Sequence, residues 1–347
     1  MRARFAATLA AQSASSRIEE YFRVVRQLAK DEDFHDDFQA FIADDELLKL
    51  RVAISDPNKN YDQNAELDAT RDLFQSNPIR TRLQTYIQER LDNKDGDYPI
   101  AASWFISDRF GNQVASVFTD SFDPATHEVV ETENVTLGRN YAYRSYFTGP
   151  HLVDGVKMYD DLAPEEKALL SGQSIEDLYR RTIIEKPNLS MAFQSKQTNT
   201  WKVAFSAPIF SKNDEVIGIV AVTIDLGSLT KFPYEKQQLH YTMLVDGRQG
   251  QLTGTILEHP LYERIRNLGI ELDEELFEVN HVNLDEVVDQ DLGFSNELFR
   301  DPVGETEAGK RLEYGSEAIV SIREVMVESN DPKNLSLIHI SEPTRPY

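Results

Sequence analysis

Between Thr136 and Phe147 the chain reads TLGRNYAYRSYF, four aromatic rings and two guanidinium groups within twelve residues. Packing alone does not require cations and rings at that density. A guanidinium is a planar fork that grips a carboxylate through two parallel N–H donors, and aromatic faces beside it attract the cation and wall off the rest of a ligand. Residues three or four apart share a helix face, which groups Arg139 with Tyr143, and Arg144 with Asn140 and Phe147. The stretch reads as one wall of a pocket for a small anion or zwitterion, with Tyr141, Tyr143, Arg144, Tyr146 and Phe147 as candidate contacts. A plainer alternative stays open: Arg144 lies along Phe147 and pairs with a surface carboxylate, while the rings belong to a core. Phe193 and Trp201 join the pocket if their segment lies across from this wall; otherwise Trp201 is a core aromatic with its N–H satisfied. Lys202 reads as a solvated face residue.

Asp and Glu number 59 against 36 Lys and Arg, a formal charge of −23. That charge repels the phosphate backbones of nucleic acid and anionic membrane surfaces, which argues against either as a partner and makes an arginine kept in a pocket more informative. With no cysteine there is no disulfide framework, thiolate zinc site or cysteine nucleophile. No apolar run approaches the ~20 residues of a membrane helix and the N-terminus lacks a signal-peptide core, so membrane attachment is expected only through segments outside this sequence. The motifs of zinc hydrolysis, serine hydrolysis, phosphate-loop binding and dinucleotide binding are missing. His151 and Asp154 could serve acid–base chemistry, but a histidine flanked by Gly and Pro is ordinarily a turn residue. Asp160-Asp161 and Asp289-Gln290-Asp291 lack the fixed alternation of a calcium loop. No catalytic residue, metal ligand or cofactor is assigned.

These candidates need elements to hold them. Ile18, Tyr21, Phe22, Val25 and Leu28, continued by Phe34, Phe38, Phe41 and Ile42, predict one long or broken amphipathic helix to about Leu50 that docks on a core. A second helical region runs through Leu67, Leu73 and Phe74, breaks near Pro78, and resumes through Ile79, Leu83, Tyr86, Ile87 and Leu91. The period then becomes extended. Residues 100–107 and 113–119 flank DRFGN as a strand hairpin, 121–135 read as loop, and the polar region 151–186 carries helices at 164–170 and 175–181. Strands at 201–209 and 216–226 pair antiparallel across SKNDE, and the second, apolar on both faces, must be central. Beyond Pro233 the order restarts: 241–245 and 252–257 flank DGRQGQ, 261–268 is apolar-periodic, and 311–314 and 318–327 close a second, smaller sheet. A strand, then Asp, Arg and Gly, then another strand echoes the first hairpin and raises internal duplication without deciding it.

In this order the pieces resemble the double Cache sensor family, over roughly residues 1 to 330. The resemblance rests on YRSYF (143–147), WKVAFSAPIF, EVIGIVAVTIDLGSL and YTMLVDGRQGQLTGTILEHP. It implies an α+β fold of two PAS-like antiparallel-sheet modules in tandem along a long N-terminal helix, divided as helix 1–58, a membrane-distal ligand-binding module 59–232, a membrane-proximal module 233–334 and a tail 335–347. It further implies the extracytoplasmic ligand-sensing region of a transmembrane receptor, with no catalysis of its own, whose output domain lies in the missing part of the parent protein. In the family's amino-acid sensors an arginine followed two and three residues later by aromatics holds the ligand carboxylate, and Arg144, Tyr146 and Phe147 match. An aspartate ahead of the fourth strand pairs with the ligand amine; the matching position is Ser195, which carries no charge. The upstream tyrosine, five before the arginine, falls on Arg139. An ammonium buried without a carboxylate is costly, so the ligand expected is an anionic or carboxylate-bearing small molecule. A non-binding structural or dimerisation module is the rival reading, with the N-terminal helix as the surface for a homodimer, and a hydrolase is a further alternative. From Leu337 the tail is similar to translated sequencing-adapter read-through, and the natural protein is expected to continue differently.

Overall fold

The computed structural model describes residues 2–54, 65–92, 98–119, 121–122, 129–130, 136–142, 144–149, 183–195, 198, 200–229, 240–246, 255–259, 261–262, 299–301, 303, 306, 317–325 and 335–343. The helices expected at 164–170 and 175–181, most of the segment 261–268 and the strand at 311–314 lie outside them, as do Tyr143, His151 and Asp154.

The N-terminal helical region is broken twice, into α1 (Arg2–Ala29), α2 (Glu32–Ala43) and α3 (Asp45–Ile54). Each break carries an aspartate cap. Asp31 accepts from the Phe34 N–H at 3.0 Å, and Asp44 accepts from the N–H groups of Glu46 and Leu47; such caps are worth about 1 kcal/mol each. Next come α4 (Ala65–Gln75) and α5 (Pro78–Asp92). Asn77 caps α5, and Pro78 occupies a first-turn position where a missing N–H costs nothing.

The first sheet contains β1 (Ser103–Asp108), β2 (Gln113–Phe118), β5 (Asn188–Leu189), β6 (Phe193–Gln194), β7 (Trp201–Phe210) and β8 (Val216–Asp225), in the order β2-β1-β8-β7-β5 with β6 also on β7. The central position of β8 is the one its two-faced apolarity demands. Between β2 and β5 lie β3 (Ser121–Phe122) and β4 (Val129–Val130), a separate two-stranded piece in the stretch read from sequence as loop, and the single-turn α6 (Ser145–Thr148). The second sheet runs β10 (Ile256–Glu258), β9 (His240–Asp246), β13 (Leu335–Pro343), β12 (Glu317–Val325), β11 (Phe299–Arg300). Counting β5 and β6 as one interrupted edge, both sheets share one strand order: second, first, fifth, fourth, third. The tail, expected from sequence to stand apart, supplies the fifth strand here, pairing with β12 and β9 on its two sides. LSLIHI is rich in strand-forming residues, and two open sheet edges offer it a ladder on each side.

At 28 residues α1 is about 40 Å long, and it packs on β7 and β8 of the first sheet and on β12 and β13 of the second. Its buried face carries Ile18, Tyr21, Phe22 and Val25. Phe205 of β7 lies between Tyr21, stacked at 4.9 Å, and Phe22, edge-on at 5.1 Å. Phe34, Phe38 and Phe41 of α2 and Leu83 and Ile87 of α5 complete the helical layer.

The Tyr21 hydroxyl donates to the Ile100 carbonyl at 2.8 Å, and burial pushes its pKa from 10.0 up to about 12. A folded-state pKa above the unfolded one means that stability is fully present below pH ~10 and is lost as pH rises from ~10 to ~12, by roughly 3 kcal/mol. Tyr21→Phe is expected to cost about 1 kcal/mol at pH 8 and to flatten the alkaline decline, measured by denaturant unfolding between pH 8 and 12.

Candidate functional site

Alternation on β7 separates a core face from a pocket face. Val203, Phe205, Ala207 and Ile209 join the helical core, whereas Lys202, Ala204 and Ser206 point the other way. Directly opposed residues of antiparallel strands share a face, so the register extends that second face across the sheet. Ala204 opposes Thr223, Thr223 opposes Ser103, Ser103 opposes Phe118, and Phe105 opposes Ala221. Ser103 and Thr223 hydrogen bond to each other through their hydroxyls. This face is the floor of the site.

The wall is held by the β1–β2 hairpin. Asp108, at the end of β1, is fully buried; its carboxylate accepts from the N–H groups of Phe110 and Asn112, from the Asn112 side chain and from Arg51 of α3 at 3.0 Å. The Arg51 guanidinium lies 4.9 Å from the Phe41 ring centroid. The turn so fixed receives the 136–142 segment: Asn140 donates to the Phe110 carbonyl and to Asn112, and the Tyr141 N–H to the Gly111 carbonyl. Gly111 has φ +84°, and a Cβ there would sit 2.5 Å from the Ala142 Cβ, so only glycine allows this approach.

From that anchor the chain enters α6, with Arg144 at the N-cap position but making no side-chain capping bond. The face-sharing expected of a longer helix therefore fails: Asn140 belongs to the hairpin contact, not to the side of Arg144. Ser206 donates to the Tyr146 carbonyl at 2.7 Å, Asn188 to the Ser145 carbonyl at 2.9 Å, and the N–H groups of Met191 and Ile184 bond to the Ser145 hydroxyl and the Phe147 carbonyl. Arg144 donates to the Gln194 carbonyl at 3.2 Å and places its guanidinium 5.0 Å from the Phe193 ring centroid. Tyr146 meets Phe105 at 4.8 Å and Phe193 at 5.4 Å.

Floor and wall enclose a cavity of about 40 Å³, room for no more than a few water molecules. Tyr141, Arg144, Tyr146, Phe193 and Ser195 line it, together with residues that sequence reasoning missed: Ser103, Phe105, Gln113, Phe118, Thr136, Gln194, Lys202 and Thr223. Phe147 does not reach it; it is fully buried beneath the wall among Phe105, Ala204 and Ile219. Trp201 lies on the opposite face of β7, against the helical core. Lys202, expected in solvent, is only 2 % exposed and pairs with Asp225 at 3.6 Å. Burial pushes its ammonium below the ordinary lysine value, and the Asp225 carboxylate opposes that shift. The signal for Lys202 was in the sequence: it alternates in phase with Ala204 and Ser206, small side chains that suit a covered face. Among the described lining residues there are two cations and no carboxylate, in a chain of charge −23.

A sequence profile described as the Cache domain matches residues 3–340. The chain belongs to the Cache domain family. Solved structures similar to this Cache chain include the ligand-binding domain of the Pseudomonas aeruginosa PAO1 amino acid chemoreceptor PctC in complex with GABA, at 13% identity and TM-score 0.37, covering 97% of this chain and 96% of that one. Another is the ligand-binding domain of chemoreceptor PctB of the same organism in complex with L-Arg, at 12% identity and TM-score 0.41, covering 97% and 92%. A third is the sensor domain of the V. cholerae histidine kinase DctB, at 16% identity and TM-score 0.36, covering 96% of each chain. No curated protein matches the sequence. As a Cache domain the chain is a ligand-sensing module, and no helix among its described residues is long and apolar enough to cross a membrane.

Asp108→Ala strips the hairpin of its acceptor and leaves Arg51 buried without its ion-pair partner. Its expected cost is about 3–5 kcal/mol, read by denaturant unfolding, against under ~1 kcal/mol for removal of the exposed partner in the Arg82–Asp37 pair.

Proposed function

We propose that this Cache domain is the extracytoplasmic sensor of a membrane-anchored receptor, and that its first module, residues 59–232, binds a small carboxylate-bearing molecule against Arg144. The observation that carries this reading is the Arg144 guanidinium held over Phe193 at the edge of a cavity lined by cations, rings and hydroxyls, with no described acidic group. A guanidinium in that setting favours a carboxylate, and Tyr141, Tyr146 and Phe193 enclose the remainder.

A cavity of about 40 Å³ is smaller than a metabolite, so binding has to shift the α6 wall relative to β6 and β7. That wall is tied to β7 through Ser206 and Tyr146, and the other face of β7 carries α1. Displacement at the pocket is thereby passed to the long helix, which also contacts the second sheet; a ligand biases this equilibrium only by preferring one arrangement. The second module, residues 233–334 with the strand that follows, serves as the membrane-proximal spacer on this reading. The outward face of α1 bears Gln12, Ser13, Ser16, Arg23 and Gln27, all exposed, with Leu9 exposed near its start, so a homodimer through it would rest mainly on polar contacts.

Thermal unfolding in the presence of organic anions tests the reading. A carboxylate at 100 times its dissociation constant adds about 2.7 kcal/mol by mass action, a rise of roughly 5–10 °C for a module of this size. Arg144→Ala is expected to remove that rise while leaving the ligand-free midpoint within about 2 °C, because Arg144 is half-buried at the cavity edge. A shift of equal size in wild type and Arg144→Ala would place binding elsewhere, and no shift from any carboxylate would leave the chain as a structural spacer.

A further inference from the structure

We propose that the Nε–Nη2 edge of Arg80, in the first turn of α5, is an anion site separate from the α6 pocket, and that it takes a small inorganic oxyanion such as phosphate or sulfate. The site stands apart from the reading of the pocket and does not depend on it. Other buried ionisable side chains are answered: Arg51 pairs with Asp108, Lys202 with Asp225, and His259 bonds Asp301. Arg80 is 6 % exposed, and among the described residues no carboxylate pairs with it. Its head group donates from Nη1 to the Gln84 Oε1 at 3.2 Å. Nε is buried and has no partner. Nη2 makes no bond either, and unlike Nε it is not sealed from solvent. Nε and Nη2 together form a side of the guanidinium that presents two parallel N–H donors, the geometry that matches two oxygens of one oxyanion.

Desolvation is the whole of what acts on this group: burial pulls its pKa from 12.5 down to about 10, and no neighbouring charge opposes the shift. At neutral pH Arg80 is therefore still a cation, held out of water without a counter-charge, which is costly. Its position adds to that cost. No acidic residue occupies the first turn of α5, where the positive end of the helix dipole favours an anion and disfavours a cation. The Asn77 side chain already accepts from the N–H groups of Ile79 and Arg80, and Pro78 has no N–H to offer, so the guanidinium edge and not the backbone is what would hold the ion. Gln84 aims that edge. Its amide donates to the Ser116 carbonyl at 2.6 Å and its Oε1 accepts from the Ser116 N–H at 3.2 Å, which locks Gln84 to β2, and the Ser116 hydroxyl bonds that of Thr136 at 3.0 Å. An oxyanion on Arg80 would fasten the start of α5 to this edge of the sheet.

Thermal unfolding of the full chain in an amine buffer, with sodium chloride holding the ionic strength constant, tests the site. Sodium phosphate and sodium sulfate are each expected to raise the midpoint saturably, by about 4 °C once the added anion is well above its dissociation constant, with acetate giving less than half of that rise. Arg80→Met should abolish the rise, Arg80→Lys should weaken the anion 10-fold or more because an ammonium lacks the two-donor edge, and Arg144→Ala should leave the rise as it is. If Arg80→Met gives no cooperative transition, Arg80→Gln takes its place with the same expectation. Crystals soaked in selenate should show an anomalous peak against the Arg80 head group. The proposal is overturned if the phosphate rise is the same in wild type and the Arg80 variants, if it disappears in Arg144→Ala, if acetate matches phosphate, or if neither a rise nor a selenate peak at Arg80 is found; none of these outcomes bears on carboxylate binding at Arg144.

Discussion

A β-strand sends alternate side chains to opposite faces, and in β7 that rule decides what is core and what is pocket. Val203, Phe205, Ala207 and Ile209 sit under the helices; Lys202, Ala204 and Ser206, one residue out of phase, sit under α6. A register slip of a single residue would exchange them, bringing an ammonium to the helical face, Ala204 or Ser206 to the place between Tyr21 and Phe22, and a phenyl ring to the floor of the site. The stacking of Phe205 between Tyr21 and Phe22 makes that slip prohibitive. The helical layer thus fixes the chemistry of the opposite face without touching it.

The wall depends on a different constraint, satisfaction of buried polar groups. Asp108 is a fully buried carboxylate with four donors directed at it, and those donors come from α3 and from its own hairpin turn. Because Asn140 and Tyr141 are bonded to that turn, the entry to α6 is determined by an ion pair on the far side of the sheet. The network links helices to pocket as a continuous set of hydrogen bonds, while the α6 contacts to Ser206 and Asn188 link the pocket back to β7 and β5. A pocket built on two such anchors is preorganised at its hinges and free to adjust mainly at the Arg144–Phe193 contact.

Much of this was legible in the sequence where periodicity is long. The dual apolarity of β8 placed it centrally, the DRFGN turn marked the first hairpin, and the helical spacing from Ile18 to Ile42 was sound apart from its breaks. Those breaks are set by Asp31 and Asp44, whose side chains bond backbone that a continuous helix would have satisfied internally. Elements of two residues, such as β5 and β6, carry no period at all, yet they deliver Phe193 and Gln194 to the site. Lys202 was misassigned because a lysine alternating with apolar residues ordinarily marks a solvent face; the small Ala204 and Ser206 in phase with it were the contrary signal, while the segments that cover the face, α6, β6 and 136–142, come from elsewhere in the chain. Trp201 was offered to the pocket by its proximity in sequence to Phe193, and strand parity alone would have sent it to the other side. The tail was set apart from the second sheet, and its place between β9 and β12 is a pairing that no local pattern announces.

Taken together, the fold concentrates positive charge in one covered niche of a strongly acidic molecule and ties the walls of that niche to a helix common to both sheets. The most direct test is a crystal structure of the protein with a bound carboxylate ligand. The account predicts a carboxylate within hydrogen-bonding distance of the Arg144 guanidinium, against the Phe193 and Tyr146 rings and above Thr223. A ligand found in the second sheet's module, or an Arg144 side chain turned to bulk solvent with the ligand held by other groups, would contradict it.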